Sequence, residues 1–229
     1  MTIPWKIIDR FTTARNETVE LRRRGERDFI MFLDGQVLMN SSAQRSESAL
    51  GGLGCQPWQD TPAPRVLVGG LGMGFTLRAV LDSLSTKAKV VVAELNPEVV
   101  DWCRGPLAGL TDNALSDHRV TVEIGDVAAL IRRCALAKEK ARFNAIILDL
   151  YRGPHNYTDK REDPLYGSRA IAYTRAALRS GGTFAVWGEN YDEGFSRRLS
   201  KGGFKVTCHR PGKGGYRHAV FLATKKPET

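Results

Sequence analysis

Three acidic side chains, Glu94, Asp126 and Asp149, stand at or just after the ends of apolar, β-branched runs, and a cluster of glycines precedes the first of them. The cluster is Gly69, Gly70, Gly72 and Gly74, directly after Val66, Leu67 and Val68. Glycines so placed let a strand turn sharply into a helix and let backbone approach a ligand closely, while the helix N-terminus offers free N–H groups to an electron-rich partner. A carboxylate at the tip of the next strand, 20 residues after Gly74, is positioned to accept both hydroxyls of a ribose. Open α/β sheets bind ligands at the carboxyl ends of their strands. The three acids therefore divide as Glu94 to a ribose, Asp126 to an adenine amino group and Asp149 to the reacting end. Each also has a purely structural reading as a helix cap, Asp126 ahead of residues 127–134 most of all. The spacing departs from the dinucleotide pattern G-x-G-x-x-G, because Phe75, Thr76 and Leu77 supply no third glycine, and no Lys-Ser or Lys-Thr follows to make a phosphate loop.

The elements that must hold these residues follow from periodicity. From Arg65 onward strand and helix patterns alternate: strands over 66–68, 90–93, 119–124, 145–148 and 183–187, and helices over 77–84, 96–104, 127–134, 168–179 and 193–201. Pro97 opens the second helix at an early position, and Gly181-Gly182 is expected to close the fourth. Two final strands, 204–208 and 219–224, are joined by a glycine-rich hairpin. The pattern predicts an α/β, Rossmann-like doubly wound, mostly parallel seven-stranded sheet with an antiparallel C-terminal strand. Ahead of it, residues 18–22, 29–33 and 36–40 read as short strands, with Asp34-Gly35 as a two-residue hairpin, and 46–53 as a short helix. The expected organisation is a small N-terminal β domain with its helix (1–55), a linker with three prolines (56–64) and a catalytic domain (65–229).

A chain of 229 residues that is 42% hydrophobic buries one substantial core. It contains no apolar run of about 18 residues, and MTIPWKIIDRF lacks a signal-peptide pattern. No membrane association and a cytoplasmic enzyme are the expectations. Cys55, Cys103, Cys134 and Cys208 lie far apart without a C-x-x-C, which predicts reduced thiols, no zinc site and no metal. The formal charge of +9 is spread over groups at 22–24, 132–133, 138–142, 197–201 and 210–217. Scattered groups read as solvated surface, whereas one continuous stripe would suit nucleic acid.

The series VLVGGLGMG, VVAELNPEVV, VEIGDVAAL, FNAIILDLYRGP and ALRSGGTFAVW, preceded by FLDGQVLMNS, resembles the class I S-adenosylmethionine-dependent transferases, and among them is most similar to the spermidine synthase (polyamine aminopropyltransferase) family. The resemblance runs over nearly the whole chain and includes the small N-terminal β domain. It implies an adenosyl donor, S-adenosylmethionine or its decarboxylated form, held by Gly69, Gly70, Gly72, Gly74, Glu94, Leu95, Asp126, Val127 and Asp149. It also implies a small-molecule amine or other nucleophilic acceptor, and a homodimer. In the family the glycine turn carries an aspartate for the donor's amino group, where this chain has Gly72. The family's Asp-x-x-Asp element reads Asp149-Leu150-Tyr151-Arg152 here, so the first acid is kept and the second is a guanidinium. The Asp-Glu pair and tyrosine of the family's hairpin helix are replaced by SSAQRSESAL. A guanidinium where a diamine's far ammonium would sit repels it, which argues against putrescine as acceptor.

In either methyl or aminopropyl transfer the sulfonium already carries the activation, so the protein must align a nucleophile and take its proton. Asp149 is the candidate base and Tyr151 a candidate positioning group. The long polar loop from Arg152 to Tyr166 suits a lid, with Arg152, His155, Tyr157 and Tyr166 as substrate or lid residues and His155 read first as an exposed lid histidine. Aminopropyl transfer to an amine, methyl transfer to a small molecule and, more remotely, nucleic-acid methylation or binding are the functions these residues and the resemblance admit.

Overall fold

The structure, a computed structural model, describes residues 3–137, 141–212 and 218–226, so the tip of the C-terminal hairpin expected at 213–217 lies outside the described residues. Four strands, β1 (Lys6–Thr12), β2 (Thr18–Arg24), β3 (Asp28–Leu33) and β4 (Gln36–Asn40), form an antiparallel meander in chain order. Asp34 and Gly35 both take positive φ, 47° and 76°, the mirror-image turn whose twist matches a two-residue hairpin. Sequence reading names β2 to β4 and misses β1. KIIDRFT does not alternate cleanly, and its strand is held by β2 and by Trp102, whose indole N–H donates to Asp9 Oδ2 at 2.7 Å.

The second sheet has seven strands in the order β10-β11-β9-β8-β5-β6-β7. Here β5 (Arg65–Gly69), β6 (Lys89–Glu94), β7 (Val120–Ile124), β8 (Phe143–Leu148) and β9 (Leu178–Gly188) are parallel, and β11 (Ala219–Lys225) runs antiparallel between β9 and β10 (Phe204–His209). This is the expected sheet. Helices α1 (Arg45–Cys55), α2 (Phe75–Ser83), α3 (Pro97–Arg104), α4 (Val127–Ala135), α5 (Ser168–Ala177) and α6 (Glu193–Lys201) join and cover the strands. Successive side chains of a strand point to opposite faces. Accordingly Val66 and Val68 enter the core shared with α1, α2 and the N-terminal sheet, and Leu67 enters the core shared with α4, α5 and α6.

One boundary differs from expectation. Helix α5 ends at Ala177 and β9 begins at Leu178, with the Gly181-Gly182 pair inside the strand. The register jumps from Phe143 opposite Leu178 to Ala145 opposite Thr183, so the glycines form a bulge in β9 and do not close the helix.

The order of strands reverses beside β5, which has β6 on one side and β8 on the other. Two connections leaving neighbouring strands in opposite directions open a crevice at their carboxyl ends. The glycine turn and Asp149 lie there.

The candidate active site

The glycine turn is stitched to both neighbours. Asp149 N–H donates to the Gly69 carbonyl at 2.8 Å and Gly70 N–H to the Ala93 carbonyl at 2.9 Å. Gly70 has φ +84°, and a Cβ there would collide with the Asp149 carbonyl oxygen. Gly70→Ala is therefore expected to combine the left-handed penalty of about 1–2 kcal/mol with displacement of the Asp149 backbone. A thermal melt should show a fall of many degrees, and a wild-type midpoint would mean that the turn can relax. Gly72 carries no side chain because Met39 of β4 lies over it, with Sδ 2.9 Å from where a Cβ would stand. The Cys103 thiol donates to the Gly72 carbonyl at 3.2 Å, and burial together with the Glu94 charge pushes that thiol up to about 12. It is an unreactive prop for the turn.

Glu94, the last residue of β6, is 7% exposed. Its Oε2 accepts from Leu71 N–H at 2.9 Å and its Oε1 from Asn96 N–H at 3.0 Å. Burial raises the carboxyl above its usual range, and the hydrogen bonds from Asn96 and Leu71 oppose that rise. One carboxylate thus ties the glycine turn to the entrance of α3, with the remaining lone pairs of both oxygens still able to accept. Leu95 beside it is exposed. Asp126 is the N-cap of α4, its Oδ1 accepting from Ala128 N–H at 2.8 Å, and Val127 is buried behind it. The capping role is thus present, and Asp126 also borders a cavity of about 290 Å³ lined by Arg132, Asp163, Pro164 and Tyr173 among others. A larger cavity of about 460 Å³ lies between α1 and α2, lined by neither Glu94 nor Asp149.

Asp149 follows the last residue of β8. The Thr76 hydroxyl on the first turn of α2 donates to its Oδ2 at 2.6 Å. Burial pushes Asp149 up to about 7; the Thr76 hydrogen bond opposes this and the negative charge of Glu47 adds to it. A carboxyl poised near neutrality is suited to exchange a proton with substrate. Neither Thr76 nor Glu47 was singled out from sequence. Their signal lies in the small-residue face of α1. A Cβ on Gly51 would stand 2.8 Å from both Ala79 Cβ and the Thr76 carbonyl, and one on Gly54 would stand 3.0 Å from Ile147. Helix α1 therefore lies directly on α2 and on the sheet, and its first-turn Glu47 arrives beside Thr76.

The loop residues separate. Tyr151 is 44% exposed and Arg152, with φ +67°, lays its guanidinium over the Tyr151 ring at 5.0 Å. Tyr151 and then the carboxylates of Glu189 and Glu17 hold the guanidinium above its usual value. Glu17 precedes β2 and Glu189 follows β9, so Arg152 sits between the N-terminal sheet and the strand ends. His155 caps a turn over Asn156–Thr158, its Nδ1 accepting from Tyr157 N–H at 3.3 Å, and Tyr157 is 84% exposed. These two rings pack edge to face, 5.8 Å apart, while the side-chain hydrogen bond of Asp149 comes from Thr76. Tyr166 is buried against Phe195, and burial followed by the charges of Asp163 and Asp149 raises its phenol.

Several members of the basic groups pair with acids: Arg22 with Glu20, Arg133 with Glu123, Arg197 with Glu193 and Arg198 with Asp159. Parts of the groups at 138–142 and 210–217 lie outside the described residues. Among the described residues no helix is long and apolar enough to cross a membrane, and no three His, Cys, Asp or Glu side chains come together as a metal site would need.

A doubly wound sheet with this strand order, a glycine turn at its switch point and a four-stranded meander in front is the fold of the spermidine synthases. Spermidine synthase from Thermotoga maritima superposes with a TM-score of 0.73 at 21% identity, covering 97% of this chain and 74% of its own. A spermidine synthase in complex with the transition-state analogue AdoDATO superposes with a TM-score of 0.71 at 21% identity, covering 97% and 73%. The family model for the spermine/spermidine synthase domain matches residues 54–193, and the chain belongs to that family. Polyamine aminopropyltransferase 2 of Pseudomonas aeruginosa is 30% identical over 168 residues, which is 70% of this chain and 43% of that protein. The chain spans less than half the length of the curated relatives it matches.

Proposed function

We propose that the protein transfers an aminopropyl group from decarboxylated S-adenosylmethionine to a small-molecule amine. The observation that carries this reading is Asp149, a carboxyl pushed up to about 7 at the switch point, next to the glycine turn and 2.6 Å from the Thr76 hydroxyl. The acceptor must attack as a free amine. Asp149 takes a proton from its nitrogen, the nitrogen lone pair forms a bond to the methylene next to the sulfonium, and the C–S bond breaks with its electrons left on sulfur. The leaving group is then a neutral thioether, 5′-methylthioadenosine, which needs no acid. Glu94 holds the ribose, Asp126 and Val127 border the adenine, and the glycine turn passes close to the donor's tail. Membership of the family supports the donor, the amine acceptor, a homodimer and a cytoplasmic setting. Arg152, three residues past Asp149, makes a second ammonium unfavourable at that point and separates this acceptor from putrescine.

Methyl transfer from intact S-adenosylmethionine is the second reading. Gly72 favours it, since the donor's amino group has no aspartate there, and so does Arg152, a cation suited to a carboxylate. Calorimetric titration with the two donors separates them. Aminopropyl transfer requires tighter binding of the decarboxylated donor, about tenfold or more, which corresponds to about 1.4 kcal/mol. Tighter binding of the intact donor ends the aminopropyl reading and leaves methyl transfer.

A further inference from the structure

Glu47 has a place in this site that the Asp-x-x-Asp pattern does not anticipate. It is 9% exposed, and the Ser46 hydroxyl donates to its Oε2 at 2.7 Å. Its own carbonyl oxygen lies 3.3 Å from Thr76 Oγ1, the same hydroxyl that donates to Asp149 Oδ2 at 2.6 Å. Thr76 therefore bridges the backbone that carries one acid and the side chain of the other. Among the described residues, neither Glu47 nor Asp149 makes an ion pair. Among the described residues, the side-chain hydrogen bonds to these carboxylates come from two neutral hydroxyls, Ser46 and Thr76. Carboxylates withdrawn from water are ordinarily paired with a cation, because hydroxyl groups alone do not offset the lost hydration of a charge.

A second observation points the same way. Tyr166 is 4% exposed, and its hydroxyl is buried with no hydrogen-bond partner among the described residues. The charge of Asp149 acts on that hydroxyl. A buried phenol oxygen without a donor, set near an acid without a cation, lacks what an ammonium supplies: positive charge and several N–H donors at once.

We propose that Glu47 and Asp149 together hold the acceptor's reacting ammonium, with Tyr166 Oη as a third acceptor, so that Glu47 from α1 adds a second acid at the reacting end while Arg152 leaves none at the far end. The inference rests on the reading of this site as one that accepts an amine. It specifies the acceptor further. The cation is taken deep, between α1 and β8, and the guanidinium of Arg152 lies toward the mouth beside exposed Tyr151. The acceptor is then an amine with one ammonium at the reacting end and a neutral or anionic far end. Both acids act on the bound ammonium, and Asp149 alone takes the proton as attack begins.

The test is binding of n-butylammonium to the full chain, followed by saturation-transfer NMR in the presence of 5′-methylthioadenosine, with n-butanol as the uncharged probe. The wild type should bind n-butylammonium and bind n-butanol at least tenfold more weakly; equal affinity for the two overturns the proposal without any variant. Glu47→Gln keeps an oxygen for Ser46 and should weaken n-butylammonium about tenfold or more while leaving n-butanol and 5′-methylthioadenosine unchanged. Glu47→Asp should restore most of the ammonium affinity, which a structural role would not require. Unchanged ammonium affinity in a folded Glu47→Gln protein removes Glu47 from the site. The outcome is independent of the donor titration. Ammonium binding that depends on Glu47, together with preference for intact S-adenosylmethionine, would keep this inference and retire aminopropyl transfer.

Discussion

Asp149→Asn is expected to lower kcat about 10² to 10⁴-fold, the range in which a general base contributes, with donor affinity within about twofold of wild type. Asparagine keeps the shape and can still accept from Thr76, but it cannot take the amine's proton. The pH profile checks the same assignment. Asp149 is pushed up to about 7 by burial and must be ionised to act, so kcat of the wild type should fall as pH drops below about 7. Stability should move in the opposite sense. A carboxyl raised above its unfolded value of about 3.9 favours the fold fully only below that value, and the contribution is lost as pH rises through about 7. At pH 8 the wild type therefore carries a withdrawn negative charge that asparagine lacks. Asp149→Asn should melt higher than wild type at pH 8 and at the same temperature near pH 4. A variant that keeps its rate would return Asp149 to a backbone-capping role beside Gly69.

Glu94→Ala has the second large effect, and it has two components. The carboxylate accepts from Leu71 N–H and Asn96 N–H at 2.9 and 3.0 Å, and each buried donor left unsatisfied costs about 1–3 kcal/mol. The melting temperature should therefore fall, more than sequence reading of a purely ligand-facing acid anticipates. With Glu94 in its proposed role at the ribose, loss of its charge-assisted bonds should in addition weaken the adenosyl donor about a hundredfold or more. The two are separable by measuring donor Kd well below the new melting point. A lower melting temperature with unchanged donor affinity would make Glu94 only a strut between the glycine turn and α3.

What could be read from sequence was set by local signals. The central parallel strands β5, β6 and β8 are largely apolar runs buried on both faces, and Asp34-Gly35 has a turn chemistry that joins two strands with two residues. The acids fall at strand ends because each follows such a run directly. The rest failed where the decisive contact is long-range. Strand β1 is secured by Trp102, some ninety residues away in the chain, and its own letters alternate poorly. The Gly181-Gly182 pair reads as a helix stop, yet Leu178 is drawn into the sheet beside Phe143 before the glycines are reached. Glu47 escaped because SSAQRSESAL departs from the family's hairpin helix, and departure hides a residue when the expected letters are what is sought. Only the packing of α1 on α2 turns an ordinary first-turn glutamate into a neighbour of Asp149.

That packing has a consequence for robustness. Where Gly51 of α1 meets the Thr76 carbonyl and the Val80 amide of α2, backbone stands against backbone with no long side chain between them. A contact of this kind is a hard stop: it has no rotamers to re-sort and no methylene to trim. Volume changes elsewhere in the core can be absorbed by side chains without altering how far Glu47 stands from β8, so the geometry of the acids is insulated from most mutational drift. The insulation has its weak point at residue 51, where a single added methyl group would press on the α2 backbone and shift the helix and the acid it carries.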